Sequence, residues 1–85
     1  MVDFKIYRII AAVRTARTSA KMLTLISWNN GPLQLDLRRW LLKGDDLQPC
    51  RGVTLTDDEA ERFARAIIEY TEQKAAAQRE AQRGE

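Results

Sequence analysis

Two tryptophans and a scatter of cations carry whatever chemistry this sequence can do. Trp28 and Trp40 bracket a run that also holds Asn29, Asn30, Gly31, Asp36 and Arg38. Further cations stand outside it at Arg14, Arg17, Lys21 and Arg51. Rings and guanidinium groups suit stacking and anion contacts. The groups that make and break bonds are missing. There is no His, so the commonest general base is absent. Cys50 is the only cysteine, and no nucleophile–base pair gathers around it or around any serine. Gly31, Gly44, Gly52 and Gly84 are scattered and form no phosphate-cradling loop. Asp45-Asp46 lacks both EF-hand spacing and a third carboxylate. One cysteine without histidine builds no zinc site. The expectation is therefore a binding protein that is not an enzyme and has no metal and no cofactor.

These residues need a scaffold, and the sequence spells one out. Asn29, Asn30 and Gly31 tolerate positive φ, and Pro32 has no N–H to donate, so residues 29–32 read as a tight turn. Residues 33–40 alternate: Leu33, Leu35 and Leu37 point one way, and Gln34, Asp36, Arg38 and Trp40 the other. The leucine side is expected to meet a core, and the Arg38–Trp40 side to face solvent. Residues 21–28 form the preceding strand, apolar in part on both faces, with Met22, Thr24, Ile26 and Trp28 sharing one of them. Trp28 is thus open to two readings, a packing residue or an exposed platform.

The flanking segments complete the pattern. Residues 4–14 are rich in β-branched and aromatic types and read as a strand, with adjacent Ile9 and Ile10 breaking its alternation and suggesting a bulge. Residues 14–20 read as a hairpin tip that presents Arg14 and Arg17. Residues 43–49 read as a loop, and residues 50–55 as a short fourth strand in which Gly52 marks a bulge or a close backbone approach. Thr56-Asp57-Asp58-Glu59 is a capping box that opens a helix with three acids in its first turn. Ala60, Phe63, Ala64, Ile67, Ile68 and Thr71 form its apolar stripe, with Tyr70 at the edge. The stripe ends near Tyr70. Residues 1–71 are therefore expected to be one domain, and residues 72–85 a polar helical extension ending in disorder.

Size and charge constrain the partners. A chain of 85 residues makes one small domain of marginal stability, with no disulfide available, so self-association is expected. The net charge is +2, unevenly placed. Residues 1–55 carry nine Lys/Arg against four Asp, a net +5, and residues 56–85 carry a net −3. A basic front half fits a polyanionic partner. Neither a signal peptide nor an apolar run of about 18 residues is visible, so a soluble, cytoplasmic protein is expected.

The run Ser27-Trp28-Asn29, then Leu35-Asp36-Leu37-Arg38-Arg39-Trp40, then Gly52-Val53-Thr54-Leu55-Thr56 entering an acidic helix start resembles the positive cofactor four family of transcriptional coactivators. It is most similar to the small bacterial members that bind single-stranded DNA. The resemblance covers roughly residues 4–70. It implies an α+β fold: a curved four-stranded antiparallel sheet followed by one C-terminal helix. It also implies a homodimer that pairs through helices and sheet edges, for which Phe63, Ile67, Ile68 and Tyr70 are the expected contacts. The implied ligand is single-stranded or unwound DNA, bound without strong sequence preference, in transcription or DNA maintenance, with a cytoplasmic, nucleoid-associated location. On this resemblance Trp28 is a base-stacking ring, Arg38 and Arg51 contact phosphate, and Trp40 stacks or braces. Lys21, Arg14 and Arg17 add charge, and Asn30 is a further expected contact. Two departures stand out: Cys50 replaces a second basic residue before the glycine, and the turn is Asn-Asn-Gly-Pro rather than lysine-rich.

Two other readings stay open. RNA suits the same surface. A protein-interaction module would use Trp40, Leu41 and Leu42 as an exposed apolar patch. No membrane and no small-molecule substrate are expected as partners.

Overall fold

The computed structural model describes residues 3–83. The expected disorder at the extreme C-terminus falls partly on residues 84–85, outside this range. The chain forms β1 (Phe4–Ala16), β2 (Ser19–Trp28), β3 (Leu33–Lys43), β4 (Asp46–Leu55) and α1 (Asp57–Arg83). The strands make one antiparallel sheet in the order β1-β2-β3-β4, each paired with its neighbour in sequence. The expected fold, a four-stranded antiparallel sheet followed by a single C-terminal helix, is what the chain adopts.

Turn chemistry fixes the three hairpins. Asn29 and Asn30 both take positive φ, and the Gly31 N–H donates to Trp28 O at 2.8 Å, closing a tight turn. The hairpin tips are shorter than their composition suggests. β1 runs to Ala16 and β2 starts at Ser19, so only Arg17 and Thr18 turn. β4 starts at Asp46, so only Gly44 and Asp45 turn; Gly44 sits at φ 61, a conformation open to glycine at little cost. The broken alternation of β1 has its cause in three register shifts against β2, one of them between Ile9 and Ala11. Gly52 is a close approach: a Cβ there would overlap the Arg38 side chain and crowd Leu37 O.

The sheet coils tightly. Trp40 is in register with Ala20, eight residues from Trp28 along β2. In a flat strand that offset spans about 26 Å, yet the Trp28 and Trp40 ring centroids lie 6.4 Å apart. Coiling gives the sheet an inner surface, where Ala20, Met22, Ile26 and Trp40 are buried with Phe4, Ile6, Trp28 and Leu47 packed against them.

This reverses the expected assignment of β3. The face holding Asp36, Arg38 and Trp40 turns inward, while Leu33 and Leu37 stand exposed on the outer surface with Val53. Alternation separates two faces without saying which way a sheet will curl. Here the three large rings decide it, because they fill the inner surface far better than leucines would. Nor does α1 close the outer surface. Its contact with the sheet is essentially confined to β4. Phe63, Ile67, Ile68 and Tyr70 are all more than half exposed. The helix does continue past Tyr70, unbroken to Arg83. No helix among the described residues is long and apolar enough to cross a membrane.

Candidate functional site

The inner surface is organised by one ion pair. Asp36 is fully buried, and the Arg38 guanidinium grips it with two bonds: Nε to Oδ1 at 2.6 Å and Nη2 to Oδ2 at 2.7 Å. Its remaining arm, Nη1, donates to the Cys50 carbonyl at 3.0 Å. A planar fork matched to both carboxylate oxygens is the geometry that makes a buried pair tolerable. Residues two apart on a strand share a face, so the Asp36-Leu37-Arg38 spacing suffices to build it.

The clamp holds an aromatic stack. The Arg38 guanidinium carbon lies 4.6 Å from the Trp28 ring centroid, within cation–π range. Trp40 lies nearly parallel to Trp28, at an interplanar angle of 7°. Phe4 meets Trp40 edge-on at 5.1 Å and Trp28 at 5.8 Å. Arg38 thus positions Trp28, and each of its three nitrogens donates one bond within the chain. Trp40 is fully buried, so it braces the stack and presents no face to a ligand. Its burial also removes the exposed Trp40-Leu41-Leu42 patch that an interaction module would need. Trp28 is half-buried, which reconciles its two readings: it packs and remains reachable. It lines an open depression of about 340 Å³ with Asn29, Gln34, Arg38 and Thr54.

The other expected contacts do not join this cluster. Lys21 and Arg51 lie on the outer surface with Leu37, around a separate notch. Arg14 and Arg17 are exposed at the β1–β2 turn, where Arg14 Nη1 donates to Arg17 O at 3.1 Å. Asn30 sits at the opposite end, in the β2–β3 turn, lining a cavity of about 510 Å³ with Lys5, Tyr7, Ser27 and Leu33. Two residues escaped the sequence reading. Arg39 lines the Lys21–Arg51 notch, and its parity with the leucines hid it. Tyr7 stands at a β1 register shift, 60% exposed, with Lys5 Nζ 5.3 Å from its ring; the irregular alternation of β1 was its only signal.

No protein-family model matches the chain, and no curated protein sequence matches it significantly.

Proposed function

We propose that this chain binds single-stranded or unwound DNA without strong sequence preference, as a homodimer and not as an enzyme. The observation that carries this reading is the Trp28 platform. A partly exposed ring is held by a guanidinium that is itself locked to a buried carboxylate. Around it stand the amide and hydroxyl side chains of Asn29, Gln34 and Thr54. A nucleobase wants this combination of a π-face to stack on and mixed donors and acceptors at its edge. A base in a duplex is already stacked and paired, so the platform favours single strands. Stacking on one ring contributes about 1–3 kcal/mol per base whatever the base, which supports binding without strong sequence preference. The basic first 55 residues supply the long-range attraction. Processes that expose single strands, transcription or DNA maintenance at the nucleoid, are the setting this suits.

The dimer rests on apolar surface left without cover on both the sheet and the helix. A compact 9.8 kDa chain exposes about 5,200 Å² by size scaling; this one exposes 7106 Å². Doubled, the excess falls in the range of obligate dimers, roughly 2,000–5,000 Å².

Fluorescence anisotropy with a labelled oligothymidine, its duplex and its RNA counterpart tests the reading across a salt series. The expected result is salt-sensitive binding to the single strand over the duplex, weakened about tenfold or more by Trp28→Ala. Equal binding of the RNA would shift the ligand class to single strands generally. A folded wild type that binds no strand at low salt would overturn the proposal.

A further inference from the structure

We infer that the free edge of β1 is a docking site for a partner protein, which adds an extended segment of alternating acidic and apolar residues as a fifth strand. This goes beyond the proposed function and does not depend on it. Neither the Trp28 platform, nor the surface around Leu33, Leu37 and Val53, nor the apolar stripe of α1 takes part.

Among the described residues, β1 lies at the end of the sheet and pairs only with β2. Its other edge therefore carries a row of backbone N–H and C=O groups with no strand against them. The opposite end of the sheet, at β4, is the one α1 touches. From Tyr7 to Ala16 every residue of β1 is exposed, although Ala20, Met22 and Thr24 on the neighbouring strand are buried. Tyr7, Ile9, Ile10 and Val13 are the large side chains this leaves open to solvent. A long apolar edge of this kind is a template for strand addition. The register shifts between Ile6 and Arg8, Ile9 and Ala11, and Arg14 and Ala16 limit how much of it can pair. The unbroken run is Ala11–Arg14, and the small side chains of Ala11 and Ala12 leave room beside it.

Register sorts the side chains that an added strand meets. Ile9 and Ala12 pair with Thr24 and Met22, which are buried on the inner surface. Arg8 and Val13 pair with Leu25 and Lys21 and share the outer one. A fifth strand alternates in the same way. Its residues beside Ile9 and Ala12 extend the apolar inner surface, and those on its other face stand beside Arg8. Charge then selects the partner. β1 carries Lys5, Arg8 and Arg14 and no acid, and residues 4–35 contain no Asp or Glu at all. The ion pairs among the described residues lie at Asp36–Arg38, Asp58–Arg62 and Glu61–Arg65, none of them on β1. Opposite charges on neighbouring strands stabilise pairing, and like charges oppose it. A second β1 would set three cations against three, so this edge repels its own copy and accepts an acidic segment.

The test follows the backbone amide resonances of the full chain during titration with three end-blocked heptapeptides: Glu-Val-Glu-Val-Glu-Val-Glu, the same peptide with Lys for Glu, and an all-Glu peptide. The Glu-Val peptide is expected to shift the β1 amides and to slow hydrogen exchange at alternate residues between Arg8 and Arg14, because only every second N–H points to the free edge. The Lys-Val peptide is expected to bind about fivefold more weakly or worse. Arg8→Glu is expected to invert that order, a gain of binding that an unfolded variant could not imitate. No shift of the wild type by the Glu-Val peptide at millimolar concentration would overturn the proposal. Equal binding of the all-Glu peptide, or shifts without alternate protection, would reduce β1 to a general anion surface and overturn the fifth strand. Shifts confined to α1 or to the Trp28 depression would overturn the edge as the site. Alternate protection of β1 already present without peptide would give the edge to a second copy and overturn it as well. Oligothymidine binding decides the proposed function separately, so either can fail while the other stands.

Discussion

Arg38 separates stability from function more cleanly than any other side chain here. Its removal leaves Asp36 buried without a counter-charge, which costs about 3–5 kcal/mol. Chemical denaturation of Arg38→Met should show a loss of that size. Replacing both partners with apolar residues of similar volume, as in Asp36→Leu with Arg38→Met, should recover most of it, because no orphaned charge remains. The Trp28 ring then loses the guanidinium that holds it. Single-strand binding should therefore stay weak in the double variant even as stability returns. Wild-type affinity in that variant would show that the clamp matters only for folding. The Asp-x-Arg spacing that builds this pair was legible in the sequence, since residues two apart on a strand must share a face. Its burial was not. A carboxylate and a guanidinium on an alternating strand look like solvent groups until the curl of the sheet is known.

The same limit governs the strands and the helix. Turn residues gave hairpin positions, the capping box gave the start of α1, and alternation gave two faces for β3. Thr56 and Glu59 exchange the expected bonds, Thr56 N–H to Glu59 Oε1 at 2.9 Å and Glu59 N–H to Thr56 Oγ1 at 3.1 Å. Thr56→Ala should remove about 1 kcal/mol of helix stability, read as an earlier loss of helical circular dichroism on heating. Which face of β3 becomes interior was hidden, because it depends on how β1 and β4 bend around the Phe4–Trp28–Trp40 cluster. Composition also made the loops too long, since polar residues such as Asp46 and Gln48 sit comfortably on an edge strand. Gly52 is where β3 and β4 depend on a single residue. Gly52→Ala would force the two backbones apart at Arg38, with an overpacking penalty of about 3 kcal/mol or more. A fall in melting temperature of more than about 10 °C is expected. The same substitution should loosen Arg38 from the Cys50 carbonyl, coupling strand pairing to the Trp28 platform.

The chain as a whole does not close on itself. A compact chain of 85 residues has a radius of gyration of about 12 Å; here it is 16.8 Å, with a longest extent of 57 Å. The difference lies in α1, about 40 Å long at 27 residues, whose apolar stripe touches little of its own sheet. Two surfaces are thus left bare: the outer face around Leu33, Leu37 and Val53, and the stripe of Phe63, Ile67, Ile68 and Tyr70. The segments that carry them differ in charge, with a net +5 on residues 1–55 and −3 on residues 56–85. In the proposed homodimer a second copy would cover both at once, and a two-fold arrangement would do so with one repeated contact. If folding and pairing are one event, stability depends on concentration. The melting temperature should therefore rise with protein concentration, and sedimentation should report a dimer at micromolar levels. Ile67→Asp puts a charge in the middle of the stripe and should convert the dimer to a monomer of lower stability. Its cost as a surface change on an isolated helix would be small, so a large loss of stability points to burial against a partner. A wild type that sediments as a monomer, with a melting temperature independent of concentration, would overturn the pairing.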